Sequence, residues 1–217
     1  VPLGWLLLST SGLYGGGVVF NDVFDAELDQ QERPERPLPS GRASLLGATL
    51  LGSALLVMGV LAAAQVSLVS AALATAVAIA ALIYDALGKH QSWLGPLNMG
   101  LCRGGNWLLG VSILPAMLAE RWFIAVIPII YIAAVTAISQ GEVEGGKRQT
   151  GIVAIALVLI VLTSILGLTS LASYRWLAAL PFATLFAGLV LPAFFRAAQD
   201  PSAVTIRKAV KSGVLAL

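Results

Sequence analysis

Apolar stretches of roughly 20 residues recur along this chain, and their continuity limits the fold before any motif is considered. Eight can be laid end to end, over residues 3–25, 43–63, 66–84, 94–117, 122–139, 150–170, 174–195 and a short 203–217. A helix of that length crosses about 30 Å of hydrocarbon. The runs lack the period-2 alternation of a membrane β-barrel. The expected architecture is therefore a single all-α domain over 1–217, a polytopic membrane bundle of about eight transmembrane helices. The final stretch is the least regular, because Arg207, Lys208 and Lys211 interrupt it, and a helix lying in the interface explains them equally well. Only 11% of residues are charged, against about 25% in soluble domains. A net charge of +2 gives no argument for a nucleic-acid partner, and the single cysteine, Cys102, excludes an intrachain disulfide. The chain opens on Val1 inside an apolar run, with no Lys or Arg before "WLLL" to make a signal peptide. The expectation is a chain that lacks its own beginning.

The connections fall into two classes. "DAELDQQERPERPLPSGR", "YDALGKHQSWLGP", "SQGEVEGGKRQT" and "FRAAQDPSAVTIRK" are long and charged, whereas those around Ala64–Gln65, Glu120–Arg121 and Ser173–Arg175 are short. In an alternating topology the charged four share one side. That side collects Arg33, Arg36, Arg42, Lys89, Lys147, Arg148, Arg196, Arg207 and Lys208 against Arg121 and Arg175 opposite, so it is expected to be cytoplasmic.

Asn21, Asp25 and Asp29 are spaced i, i+4, i+8, which on a helix stacks three oxygen-bearing side chains on one face, with Asp22 beside them. A row of carboxylates repels itself and calls for a positive partner. Oxygen-only ligands favour a hard divalent ion such as Mg²⁺, which takes one or two carboxylates and completes its shell with water and phosphate oxygens. The plainer alternative is acids that only solvate a helix end. Arg33 and Arg36 follow in a loop stiffened by Pro34, Pro37 and Pro39. Metal-binding acids beside arginines suggest a bound polyanion; without a ligand, the same arginines would be ordinary inside-positive charge.

With these residues in view, the chain resembles the UbiA-type intramembrane prenyltransferases. Their first signature, Asn-x-x-x-Asp-x-x-x-Asp, is matched by Asn21, Asp25 and Asp29, and "RPLPSGR" at 36–42 looks like the segment that follows it. The alternation of charged and bare loops is similar over essentially the whole chain. The wording "YDALGKH" and "GPLNMGLCRGGN" looks closer to the EboC-like branch than to the quinone-pathway enzymes. Members usually have nine membrane helices with the first signature closing the second, so the resemblance implies that residues 3–25 are that second helix. It also implies Mg²⁺ held by two acidic motifs (Asp22, Asp25, Asp29 and, from the second, Glu142 and Glu144). That Mg²⁺ would grip the diphosphate of a polyprenyl donor whose tail lies in the bundle. Asp25, Asp29 and Lys89 are the expected catalytic residues.

The second motif departs from the pattern. The family usually has Asp-x-x-x-Asp here; "SQGEVEGGKRQT" has Glu142 at the first position and Gly146 at the second, while Glu144 would point away from Glu142 on a helix. Lys147 and Arg148 are expected to meet the diphosphate, or else to be anchoring charge. In "YDALGKH", Tyr84 and Lys89 are five apart where relatives often show four. Lys89 is the expected diphosphate contact, Tyr84 either a substrate contact or an interfacial aromatic, and Asp85 a possible acid or base toward the acceptor. His90 reads as a loop residue. Arg103 lies inside an apolar helix, where charge is expensive unless paired or facing a wet cavity, and Asn106 shares its face at i+3. Both are expected to line the cavity, with snorkelling of Arg103 to the interface as the alternative.

Three functions compete. The first is a Mg²⁺-assisted membrane transferase that moves an isoprenyl group from a polyprenyl diphosphate to a lipophilic or aromatic acceptor, among membrane lipids. The second is a non-catalytic relative that binds or presents a lipid precursor. A transporter ranks last, because the polar residues crowd one membrane face rather than the midplane.

Overall fold

A computed structural model describes residues 2–171 and 176–216. The described residues are helical and contain no strand. In chain order the helices are α1 (Pro2–Phe24), α2 (Ala26–Glu32), α3 (Leu45–Ala64), α4 (Leu68–Ala86), α5 (Leu94–Val111), α6 (Pro115–Arg121), α7 (Val126–Ser139), α8 (Arg148–Leu171), α9 (Trp176–Gln199) and α10 (Ala203–Leu215). Short 3₁₀ turns occupy Gly88–His90 and Trp122–Ala125.

Six segments are long and apolar enough to span a bilayer: Pro2–Phe24, Leu45–Ala64, Leu68–Ala86, Pro115–Ser139, Arg148–Ser170 and Leu177–Gln199. The molecule is a multi-pass membrane protein. Leucines such as Leu46, 70% exposed, and phenylalanines such as Phe182, 75% exposed, cover helix faces that water would not tolerate in such number but lipid does. The other two of the eight expected spans differ. Residues 94–117 give a helix that stops at Val111 and carries Asn98, Arg103 and Asn106, and residues 203–217 give α10, with 13 residues. The turn expected at Glu120–Arg121 lies instead at residues 112–114, because Pro115 has no N–H to continue the preceding helix and opens α6 at its N1/N2 position. The expected connection at Ser173–Arg175 lies outside the described residues.

The chain divides into two compact units, one built from residues up to Lys89 with Leu101–Ala125, the other from His90–Gly100 with Val126 onward. In unit 1, α1, α3 and α4 pack against one another. The α1–α3 contact is made by small residues: a side chain at Gly12 would meet the Leu55 carbonyl at 2.7 Å, and one at Gly59 would meet the Ser9 carbonyl at 3.0 Å. In lipid no hydrophobic force pulls helices together, so such close backbone approach supplies the dispersion contact that does. Leu13, Leu56, Val77 and Leu109 fill the remaining core. The hydroxyls of Ser70 and Ser112, 2.8 Å apart and fully buried, tie the start of α4 to the end of α5. Ser44 and Ser67 cap α3 and α4, accepting from the backbone N–H groups of Gly47 and Ser70.

In unit 2, α8 packs on α7 and α9, and α10 on α7 and α9, around Phe194, Val190, Val158 and Val135. The Tyr131 hydroxyl donates to the Gly213 carbonyl at 2.7 Å, which satisfies a buried phenol and fastens α10 to α7.

Candidate functional site

The helical row expected at Asn21, Asp25 and Asp29 exists, with one modification. α1 ends at Phe24 and α2 begins at Ala26, with Asp25 at the junction, yet Asp25 N–H still donates to Asn21 O (3.0 Å), Asp29 N–H to Asp25 O (2.8 Å) and Arg33 N–H to Asp29 O (2.9 Å). The helical register therefore carries through the break.

The row does not stand as three equivalent ligands; it separates into two groups with different partners. Asn21 and Asp25 turn to the end of α4. Asn21 Nδ2 donates to Asp85 Oδ1 at 3.2 Å, and Lys89 Nζ pairs with Asp25 Oδ1 at 2.5 Å. Two residues four apart on one segment thus meet two residues four apart on another. Asp22 and Asp29 turn to the proline-stiffened loop, where a single nitrogen, Arg36 Nη1, donates to Asp22 Oδ1 at 3.0 Å and Asp29 Oδ2 at 2.7 Å. Asp29 and Asp85 are buried, 4% and 5% exposed, so these are not solvated surface acids. Burial opposes the Arg36 charge, but the hydrogen bond to Asp29 and the fields of Asp29, Asp22 and Asp25 outweigh it, and its pKa moves upward. Arg36 stays cationic at any working pH. The loop that delivers it turns at Gly41, with φ +73°, a left-handed backbone that glycine adopts freely, and Arg42 Nη2 fastens it by donating to the Glu35 carbonyl.

The other expected residues of unit 1 take quieter positions. Arg33 is exposed as it closes α2, Tyr84 is half-buried near the end of α4, and Arg103 is exposed on α5. Asn106 Oδ1 accepts a hydrogen bond from Thr10 Oγ1 at 3.0 Å, which links α5 to α1.

Among the described residues no group of three or more carboxylate, imidazole or thiol side chains is arranged to hold a metal ion. A hard divalent cation asks for less than that, since one or two carboxylates suffice when water and phosphate oxygens complete its shell. Asp22, Asp25 and Asp29 offer oxygen donors only, and in this structure two of them share one guanidinium nitrogen that a cation would displace. The donor chemistry fits Mg²⁺.

In unit 2 the second acidic stretch forms turns over residues 140–144 rather than a helix. Arg207 Nε donates to the Glu142 backbone carbonyl at 3.2 Å, and Glu144 is exposed. Gly146, where the resemblance expects an acid, donates its N–H to the Pro201 carbonyl at 2.8 Å, and a side chain added there would meet Ile206 Cδ1 at 2.8 Å. Gly145 has φ +94° and lies against the same Pro201 carbonyl. The loop is folded down onto the α9–α10 turn. Lys147 and Arg148, both exposed, follow at the start of α8. Sequence reasoning missed a cavity of about 750 Å³ beside this loop, with Gln140, Lys147, Gln149 and Thr150 on its wall. Its only sequence signal is the glycine spacing of "GEVEGG" together with Ala133 and Ala137, small residues one turn apart on α7.

A family profile described as the UbiA prenyltransferase family matches residues 1–212. A digeranylgeranylglyceryl phosphate synthase of Sulfolobus acidocaldarius is 53% identical over 45 residues, covering 20% of this chain and 16% of that one. Its counterpart in Methanosarcina barkeri is 29% identical over 99 residues, covering 46% and 34%. The matched segments thus span from about a sixth to a third of the length of these curated relatives. A solved structure described as digeranylgeranylglyceryl phosphate synthase in membranes superposes with a TM-score of 0.72 at 19% identity, over 98% of this chain and 80% of that one. At that identity the likeness establishes the fold.

Proposed function

The chain belongs to the UbiA prenyltransferase family, and from that premise we propose that it transfers an isoprenyl group from a polyprenyl diphosphate to a lipophilic acceptor within the membrane. The observation that carries this reading is the assembly in unit 1 where the two aspartates of the first signature, Asp25 and Asp29, and the neighbouring Asp22 are gathered with two cations, Arg36 and Lys89. Such a set suits an anion that arrives with its own counter-cation. Acids alone would repel a diphosphate, and cations alone would not need four buried or half-buried carboxylates beside them.

The reaction breaks the allylic C–O bond of the donor, and the diphosphate departs with the electron pair. The acceptor nucleophile then bonds to the allylic carbon and loses a proton. Asp25 and Asp29, with Asp22 beside them, would hold Mg²⁺, which when bound would supply charge neutralisation toward the leaving diphosphate. Arg36 and Lys89, which lie against these carboxylates, would add positive charge where negative charge develops on the leaving diphosphate. Asp85, buried and held by Asn21, is the candidate to receive the acceptor's proton. The apolar helices keep water from the allylic cation. The named relatives make a glyceryl phosphate lipid the first acceptor to try. Sidedness follows the positive charge of the long loops, which supports a cytoplasmic location for the acids.

The test is pyrophosphate release by the purified protein with Mg²⁺, geranylgeranyl diphosphate and a prenylglyceryl phosphate. Asp25→Ala and Asp29→Ala should each lower the rate by about a thousandfold or more. Wild-type-like turnover in both would remove the first signature from the mechanism.

One observation favours a second reading. The acid expected at position 146 is replaced by a glycine whose side-chain direction is taken by Ile206, so the second motif offers an incomplete metal site. A scaffold that binds a donor without cleaving it would show donor affinity and no pyrophosphate with any acceptor.

A further inference from the structure

Residues 203–217 read from the sequence either as a short span or as a helix at the interface, and the exposed side of α10 bears directly on that choice. α10 is held in one rotation. Its buried residues Ile206, Ala209 and Gly213 lie on the side packed against α7 and α9, where the Tyr131 hydroxyl donates to the Gly213 carbonyl at 2.7 Å and Ser212 Oγ to the Leu189 carbonyl at 2.5 Å. A side chain at Gly213 would meet Val135 Cγ2 at 3.1 Å. What α10 turns outward is therefore fixed by its packing.

The exposed residues of α10 are Val204, Arg207, Lys208, Lys211, Val214 and Leu215. By helical geometry all of them fall within an arc of about 120°. That arc mixes cations with aliphatic side chains, and the helix carries no acid. Among the described residues none of its cations is in an ion pair, although Arg207 Nε donates to the Glu142 backbone carbonyl. Asp200, the acid just before the helix, is occupied by hydrogen bonds from Ser202 and Thr205. The end of α9 adds exposed Phe195 and Arg196 ahead of the same turn.

Water suits the cations of this arc but not Leu215, 71% exposed, or its neighbour Val214. Hydrocarbon suits the aliphatic residues but is costly for the cations. The headgroup layer of a bilayer suits both, because a basic amphipathic helix sets its cations among the headgroups and its aliphatic side chains at the acyl boundary. Anionic lipid strengthens the fit, since each basic side chain near a negative surface is attracted to it. We propose that the outward arc of α10 is a docking surface for the anionic headgroups of the bilayer, with Lys208 and Lys211 as the main contacts and Val214 and Leu215 at the acyl boundary. The surface uses none of the groups assigned to the diphosphate, and it stands whether or not the transferase reading does.

The test needs no turnover. The full-length protein in neutral detergent micelles is titrated with phosphatidylglycerol and with phosphatidylcholine of the same acyl chains, and bound lipids are counted by native mass spectrometry. Phosphatidylglycerol should bind about tenfold more tightly, the order expected of two cations at an anionic surface. Lys208→Gln combined with Lys211→Gln should remove most of that preference, and the paired Lys208→Arg and Lys211→Arg should keep it. Both lysines are exposed, so the melting temperature in micelles should not change. Val214→Ser combined with Leu215→Ser should weaken both lipids alike. Arg121→Gln, at an exposed cation of unit 1, should alter neither. A preference that survives the double glutamine variant, or that Arg121→Gln reduces as much, overturns the proposal, because the lipid would then be reading charge other than that of α10. Lipid-independent dimers that disappear in the double glutamine variant overturn it in favour of a second copy of this chain.

Discussion

The two units treat loop charge in opposite ways. In unit 1 both acids of the first signature and the neighbouring Asp22 are paired: Asp22 and Asp29 with Arg36, Asp25 with Lys89, and Asn21 is bound to Asp85. In unit 2 the corresponding loop carries three glycines, Gly141, Gly145 and Gly146, and among the described residues lining its cavity Lys147 is the charged one. The contrast is between charge held in pairs and charge left beside neutral groups. One region keeps its acids in ion pairs with Arg36 and Lys89; the other sets a lysine among glutamines and a threonine.

The comparison can be broken first at Gly146. Gly146→Asp restores the acid that the family pattern expects but drives it against buried Ile206, so stability should fall by about 2 kcal/mol. Ile206→Val removes the one methyl in the way, Cδ1, and should recover part of that loss in the double variant. A thermal melt of the four proteins checks this, and additive losses would mean that Ile206 does not hold the loop glycine.

A smaller effect is expected at Arg36. Arg36→Gln frees Asp22 and Asp29 from their resident cation, so Mn²⁺ added without diphosphate should bind about tenfold more tightly, as read by electron paramagnetic resonance. Geranylgeranyl diphosphate should bind less tightly to the same variant. Weaker Mn²⁺ binding would show that Arg36 orders the carboxylates rather than competing for them.

The smallest effect concerns the turn on which the glycine loop rests. Ser202 N–H, Ser202 Oγ and Thr205 Oγ1 all donate to the Asp200 carboxylate, and the Thr205 and Ser202 bonds hold its pKa below the ordinary 3.8. A depressed carboxylate pKa contributes stability above the unfolded value that is lost as pH falls through the folded one. Amide exchange at the start of α10 should therefore quicken only below about pH 4, and Asp200→Asn should abolish that dependence.

The helices were legible because charge is scarce and gathers at their ends: Arg42 and Asp85 bracket α3 and α4 as they do in the sequence. The turn at residues 112–114 was less so, since Glu120 and Arg121 drew the boundary toward themselves while Pro115 set it. The spacing of Asn21, Asp25 and Asp29 survives in the backbone hydrogen bonds. Their partners did not show, because pairing Asp85 and Lys89 with them depends on how α4 packs against α1, which no local pattern encodes. Gly146 looked like a missing ligand, and only the position of Ile206, sixty residues along, shows that the space is in use.

The glycine-lined seam between α1 and α3 has a mechanical consequence. Because backbone lies against backbone at Gly12 and Gly59, the two helices cannot slide without collision, and the segment 33–44 is anchored at both ends to a stiff base. Any travel of Arg36 is then confined to that tether, while Asp22, its partner on α1, is held in place by the seam.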